Sequence, residues 1–136
     1  MSLELGIGEG VERADNSKFH TRHSKFRTDL VERMFVFARR VVRLRQVLDG
    51  TPGVSRTLAN QLLRSGTSIG ANVEEGQAAQ SRADFLNKLS FARKEARETH
   101  YWLPLLAATD IVSEPCLTDL LDEADQLIAI LTTITK

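Results

Sequence analysis

The chain has 136 residues, 42% of them hydrophobic and 26% charged, with 18 Lys and Arg against 18 Asp and Glu. That length suits one domain with a core of its own, and the composition is ordinary for a globular protein. No apolar run approaches the roughly 18 residues of a membrane span, and no signal-peptide or lipidation pattern is present, so no membrane partner is expected.

The chain opens with a glycine-bearing, mixed-polarity stretch, and residues 1–27 read as a disordered tail ahead of a bundle at 28–136. A first helix is expected from Thr28 or Asp29, either of which can cap it. Leu30, Met34, Phe37, Val41, Leu44 and Leu48 then recur at spacings of four and three, on one helical face. Asp49-Gly50-Thr51-Pro52-Gly53 is a stop and turn. Ser55 can cap a second helix, whose stripe is Ala59, Leu62, Gly66, Ile69 and Val73. Gly76 suits the left-handed conformation that ends helices. Ser81 and Asp84 form a capping pair at the start of a third helix. Its stripe is Phe85, Leu89, Ala92, Ala96, Thr99 and Leu103, and Pro104 should kink or end it. After a turn at 110–115 a fourth helix carries Leu117, Leu120, Ala124, Leu127, Leu131 and Ile134, with Asp119, Asp122, Glu123 and Asp125 on its polar side. The average spacing near 3.5 and the short connections predict an all-α, antiparallel up-down-up-down four-helix bundle.

Catalytic chemistry is sparse. The Glu-x-x-His pairs of di-iron bundles are absent, and Glu98 and His100 are two apart, on different sides of their helix. His20 and His23 fall in the expected tail. Cys116, the single cysteine, excludes an internal disulfide and a cysteine-rich zinc site and fits a reducing cytoplasm. No phosphate-binding loop or hydrolytic constellation can be assembled. No catalytic residue, metal or cofactor is therefore assigned, and the chain is read as a non-enzyme. Lys94 and Glu98, four apart, are expected to pair.

The segment Ser65–Gly76 departs from generic packing. Gly66 and Gly70 share one face, where each costs about 0.5–1 kcal/mol relative to alanine. Close backbone approach is the favoured explanation over a ligand site. Ser68, Asn72 and Glu75, with Glu98 across the bundle, read as a polar clamp that fixes helix register, in preference to a ligand pocket.

SIGANVEEG at 68–76, followed by FLNKLSFARKEARETHYWL at 85–103, resembles the four-helix bundle proteins encoded in intervening sequences of bacterial large-subunit rRNA. The accessory variability determinant of diversity-generating retroelements belongs to the same group. Ser68, Ile69, Asn72, Glu75, Gly76, Glu98, Trp102 and Leu103 carry the resemblance, which spans about residues 28–134. Pro104 departs from the family's continuing helix. The resemblance implies the antiparallel bundle, a ring-shaped homopentamer with a central channel, and no known enzymatic activity. For the retroelement members it implies a basic barrel that binds nucleic acid and a reverse transcriptase.

Charge is unevenly placed despite the zero net. Residues 18–64 hold 11 Lys or Arg against 3 acids, and residues 65–136 hold 6 against 11. Arg33, Arg39, Arg40 and Arg43 sweep across the polar side of the first helix, and Lys18, Arg22, Lys25 and Arg27 continue the charge upstream. Such a surface can contact RNA or DNA phosphates without reading bases. A solvated arginine face, partly neutralised by the acidic fourth helix of a neighbour, explains it equally well. Two functions follow: a homo-oligomeric accessory factor with sequence-tolerant nucleic-acid binding, or a protein–protein scaffold without it.

Overall fold

The computed structural model describes residues 17–109 and 112–136; the side chains of residues 17–28, Glu114 and Cys116 lie outside that description. Four helices follow in order: α1 (Ser17–Asp49), α2 (Arg56–Gln77), α3 (Arg82–Ala108) and α4 (Glu114–Ile134). No strand occurs among the described residues. The fold is the all-α, antiparallel four-helix bundle that the periodicity predicts. Gly66 and Gly70 of α2 face Val41 and Met34 of α1, so the two helices run in opposite directions. Arg64 and Glu75 of α2 meet Glu98 and Lys88 of α3 in the same reversed order.

Each apolar stripe lies in the core. Met34, Phe37, Val41, Leu62, Ile69, Val73, Leu89, Leu103, Leu127 and Leu131 are almost completely buried, and Leu44, Phe85 and Ile134 pack against them part-buried. Burial of this kind contributes about 1.5–3 kcal/mol per large side chain and holds helices whose intrinsic propensity alone would be marginal. The α1, α2, α3 and α4 axes approach closely in sequence order, whereas α1 and α4 stand further apart.

The helix starts follow capping chemistry. Ser55 Oγ accepts from the Leu58 N–H at 3.2 Å, and Ser81 Oγ accepts from the Asp84 N–H at 3.1 Å. Pro115 sits in the first turn of α4, where its missing N–H costs nothing. Gly53, with φ +89°, provides the left-handed residue of the α1–α2 turn.

Three local expectations are corrected. α1 begins at Ser17, so residues 17–27 are helical and Thr28 and Asp29 lie inside the helix. No glycine or proline interrupts residues 17–49, and a capping residue does not end a helix that has good formers upstream. Residues 1–16 lie outside the described residues. Gly76 does not adopt a left-handed conformation; α2 continues through it to Gln77, and Ala78 closes the helix at φ −98°. Its lack of a side chain serves packing instead, because a Cβ there would meet Leu89 Cδ1 at 2.7 Å. Pro104 does not end α3, which runs on to Ala108. The lost hydrogen bond concerns a single carbonyl near an exposed position, while Leu103 and Leu106 on either side are fully buried and hold the turn in place.

Candidate nucleic-acid interface

The outward side of α1 is set by the register of its core stripe. With Met34, Phe37, Val41 and Leu48 inward, a rotation of about 100° per residue turns Phe35, Arg39, Val42, Arg43 and Gln46 to solvent. Arg39, Val42, Arg43, Gln46 and Val47 line a shallow, open depression there. Arg39 and Arg43 are exposed and Arg40 is half-buried. None of the three has an ion pair among the described residues, so their charge is available to a ligand.

The fourth arginine of the expected set is committed elsewhere. Arg33 Nε meets Glu123 Oε2 of α4 at 2.6 Å, and its Nη2 donates to Glu123 Oε1 at 3.0 Å and to Gln126 Oε1 at 2.6 Å. This two-pronged geometry is the strongest ion-pair arrangement that arginine makes. The Glu123 hydrogen bond, over partial burial, holds the guanidinium pKa above its ordinary value. Arg33 therefore acts as a strut across the wide α1–α4 gap. Arg45 is likewise engaged, donating to Asp49 at 2.9 Å and to Asn60 at 2.7 Å.

The expected clamp does not assemble as one unit. Ser68 Oγ donates to the Ser65 carbonyl at 3.0 Å, and Asn72 Nδ2 donates to the Ser68 carbonyl at 2.9 Å, both within α2. Glu75 is exposed and pairs with Lys88 at 3.1 Å. Glu98 pairs with Arg64 of α2 and accepts from Trp102 Nε1 at 3.0 Å. Lys94 thus loses its expected partner, because Arg64 can meet Glu98 and Glu95 at once, the latter at 3.1 Å. Asp125 of α4 lies 3.0 Å from His100 Nε2.

The buried polar contact between α2 and α3 is instead Ser65 with Thr99, both 0% exposed, their hydroxyl oxygens 2.9 Å apart. Thr99 is a polar member of the α3 stripe, but nothing in Ser65 alone marks it as the partner. Also missed was the outward row of α3, where Asn87, Ser90, Phe91, Arg93, Lys94 and Arg97 line a second shallow depression.

Among the described residues no group of three or more His, Cys, Asp or Glu side chains could hold a metal ion, and no helix is long and apolar enough to cross a membrane. Fold and surface together define a compact helical bundle with basic outer faces on α1 and α3. The chain belongs to the 23S rRNA-intervening sequence protein family, whose profile it matches over residues 27–133. It is similar to a protein of unknown function from the S23 ribosomal protein family of Bacteroides thetaiotaomicron, known from a crystal structure. The two share 40% identity at a TM-score of 0.75, covering 79% of this chain and 98% of that one. No curated protein matches.

Proposed function

We propose that the protein is a non-enzymatic, homo-oligomeric accessory factor, a pentamer by family resemblance, that binds nucleic acid without base specificity through Arg39, Arg40 and Arg43. The observation that carries this reading is the outer face of α1. It holds three arginines with no acidic partner among the described residues, whereas Arg33, Arg45 and Arg64 are engaged. The family's association with 23S rRNA intervening sequences supports RNA as a ligand. Phosphate contacts alone suffice for such binding, which weakens steeply with salt.

Fluorescence anisotropy with short RNA and DNA tests it. Affinity should fall with salt, and Arg39→Gln/Arg43→Gln should reduce the log–log salt slope by about 1.4–1.8, two phosphate contacts' worth. Arg33→Gln should leave the slope much closer to the parent value. Absence of salt-dependent binding at low ionic strength would refute the reading.

A second reading rests on Phe35 and Val47, which are 62% and 61% exposed on the same helix. A helix that is apolar on its outer face as well as its inner one is commonly covered in an assembly. If α1 is instead a protein-docking face, Phe35→Ser/Val47→Ser should lower the mass seen by light scattering or release a protein partner. Unchanged mass and partners would dismiss that alternative.

A further inference from the structure

We infer that the outward face of α3 is a second binding site, for single-stranded nucleic acid, chemically different from the α1 surface. Phe91, Lys94, Arg97 and Tyr101 are spaced three, three and four apart and share one side of the helix. Phe91 is 46% exposed and Tyr101 60%. Ten residues place these rings about 15 Å apart along the helix axis. Arg93, Lys94 and Arg97 lie between them in the shallow depression with Asn87 and Ser90.

The neighbouring charges on α3 are spoken for. Glu95 and Glu98 turn toward α2 and hold Arg64. Lys88 pairs with Glu75, and His100 faces Asp125 of α4. Arg93, Lys94 and Arg97 are left with no acidic partner among the described residues. The tyrosine platform is also held in place. Tyr101 meets Trp102 edge-to-face at 5.1 Å and 69°, and Trp102 is anchored through its indole N–H on Glu98. Arg64, Glu98, Trp102 and Tyr101 thus form one chain of contacts from α2 to the exposed ring.

The occupant must supply both negative charge and flat apolar surface. A second copy's α4 offers Asp119 and Asp122 but exposes no large hydrophobic residue to cover Phe91 and Tyr101. A second copy's α1 offers Glu32 and Phe35, but Arg39, Arg40 and Arg43 on the same helix are repelled by the α3 cations. A single strand of nucleic acid meets both requirements, with phosphates on the cations and unstacked bases on the rings. A duplex does not, because its base faces are hidden in the stack. α3 lies diagonally across the bundle from α1, so the two faces of one subunit are independent. The inference shares the ligand class of the proposed function but does not rest on the α1 arginines.

The test uses the 136-residue chain with labelled oligouridine and a duplex of equal length. Phe91→Ala and Tyr101→Ala should each weaken oligouridine binding by about 5- to 100-fold and leave duplex binding nearly unchanged. Lys94→Gln/Arg97→Gln should lower the salt slope for the single strand. Both aromatic positions are exposed, and unaltered thermal unfolding verifies that the variants fold. Oligouridine affinity unmoved by the aromatic substitutions overturns the α3 site, even if the α1 double variant still abolishes binding. Loss confined to the α3 variants, with the α1 double variant silent, keeps this site and removes the α1 reading. A fall in oligomer mass without a change in affinity would assign the face to a second copy and overturn the inference.

Discussion

Gly66→Ala should destabilise the protein, although the same change at Gly70 should not. Alanine in a helix interior is favoured over glycine by about 0.5–1 kcal/mol. At Gly66 an added Cβ would stand 2.8 and 2.9 Å from the two Cγ atoms of Val41 and 3.3 Å from its Cβ. Valine in a helix has one strongly preferred rotamer, so Val41 cannot swing aside without moving α1. Overpacking of this kind costs about 1–3 kcal/mol, which exceeds the propensity gain. At Gly70 the nearest atoms are the Cβ and backbone of Met34 at 3.4–3.6 Å, ordinary contact distances, and Gly70→Ala should be neutral or stabilising by up to about 1 kcal/mol. In a Val41→Ala background both Cγ contacts are gone and only the Cβ at 3.3 Å remains, so Gly66→Ala should cost much less. Urea unfolding of the four proteins measures the coupling, for which about 0.5–3 kcal/mol is typical of touching residues. Equal effects of Gly66→Ala with and without Val41 would show that the close α1–α2 approach is not what the glycine serves.

Thr99→Val is the second large effect. Valine matches threonine in shape, so packing survives while the hydroxyl is lost. In the native bundle Thr99 Oγ1 lies 2.9 Å from both Ser65 Oγ and the Glu95 carbonyl. Ser65 then has only the Leu62 carbonyl of its own helix, at 3.4 Å. Leaving a fully buried hydroxyl poorly paired costs about 1–3 kcal/mol. Adding Ser65→Ala removes the orphaned group and should restore part of that loss. If the double variant is less stable than Thr99→Val by the full cost of an independent substitution, the two hydroxyls do not act as a pair.

These contacts show where sequence reasoning reaches and where it stops. The four stripes were legible because a buried helix face must repeat every three or four residues whatever it packs against. The caps at Ser55 and Ser81 were legible because an N-cap bond spans only three residues. Gly66 was legible as a close-approach position, since an interior glycine is otherwise unfavourable. Gly76 reads as a helix end in the sequence because a stop and a tight contact demand the same missing side chain. The start of α1 is not legible from its capping residues, because Thr28 and Asp29 can equally sit within a helix.

The polar groups divide the same way. Lys94–Glu98 and the shared face of Ser68, Asn72 and Glu75 follow from helical spacing, whereas Glu98 joins that set only from across the bundle. In the fold, Glu98 has a choice between Lys94 on its own helix and Arg64 on another, and the Arg64 fork meets two carboxylates at once. Arg33 belongs by sequence to the same basic sweep as Arg39 and Arg43, but one register step turns it toward Glu123. What residue order determined by itself is the all-α class, the number of helices, their inward faces and the family, because each depends on local periodicity or on a contiguous motif. What only the tertiary structure decided is which charged groups neutralise one another and which remain free on α1 and α3. Ion pairing between helices depends on the relative rotation and offset of packed rods, and those are set jointly by all four cores.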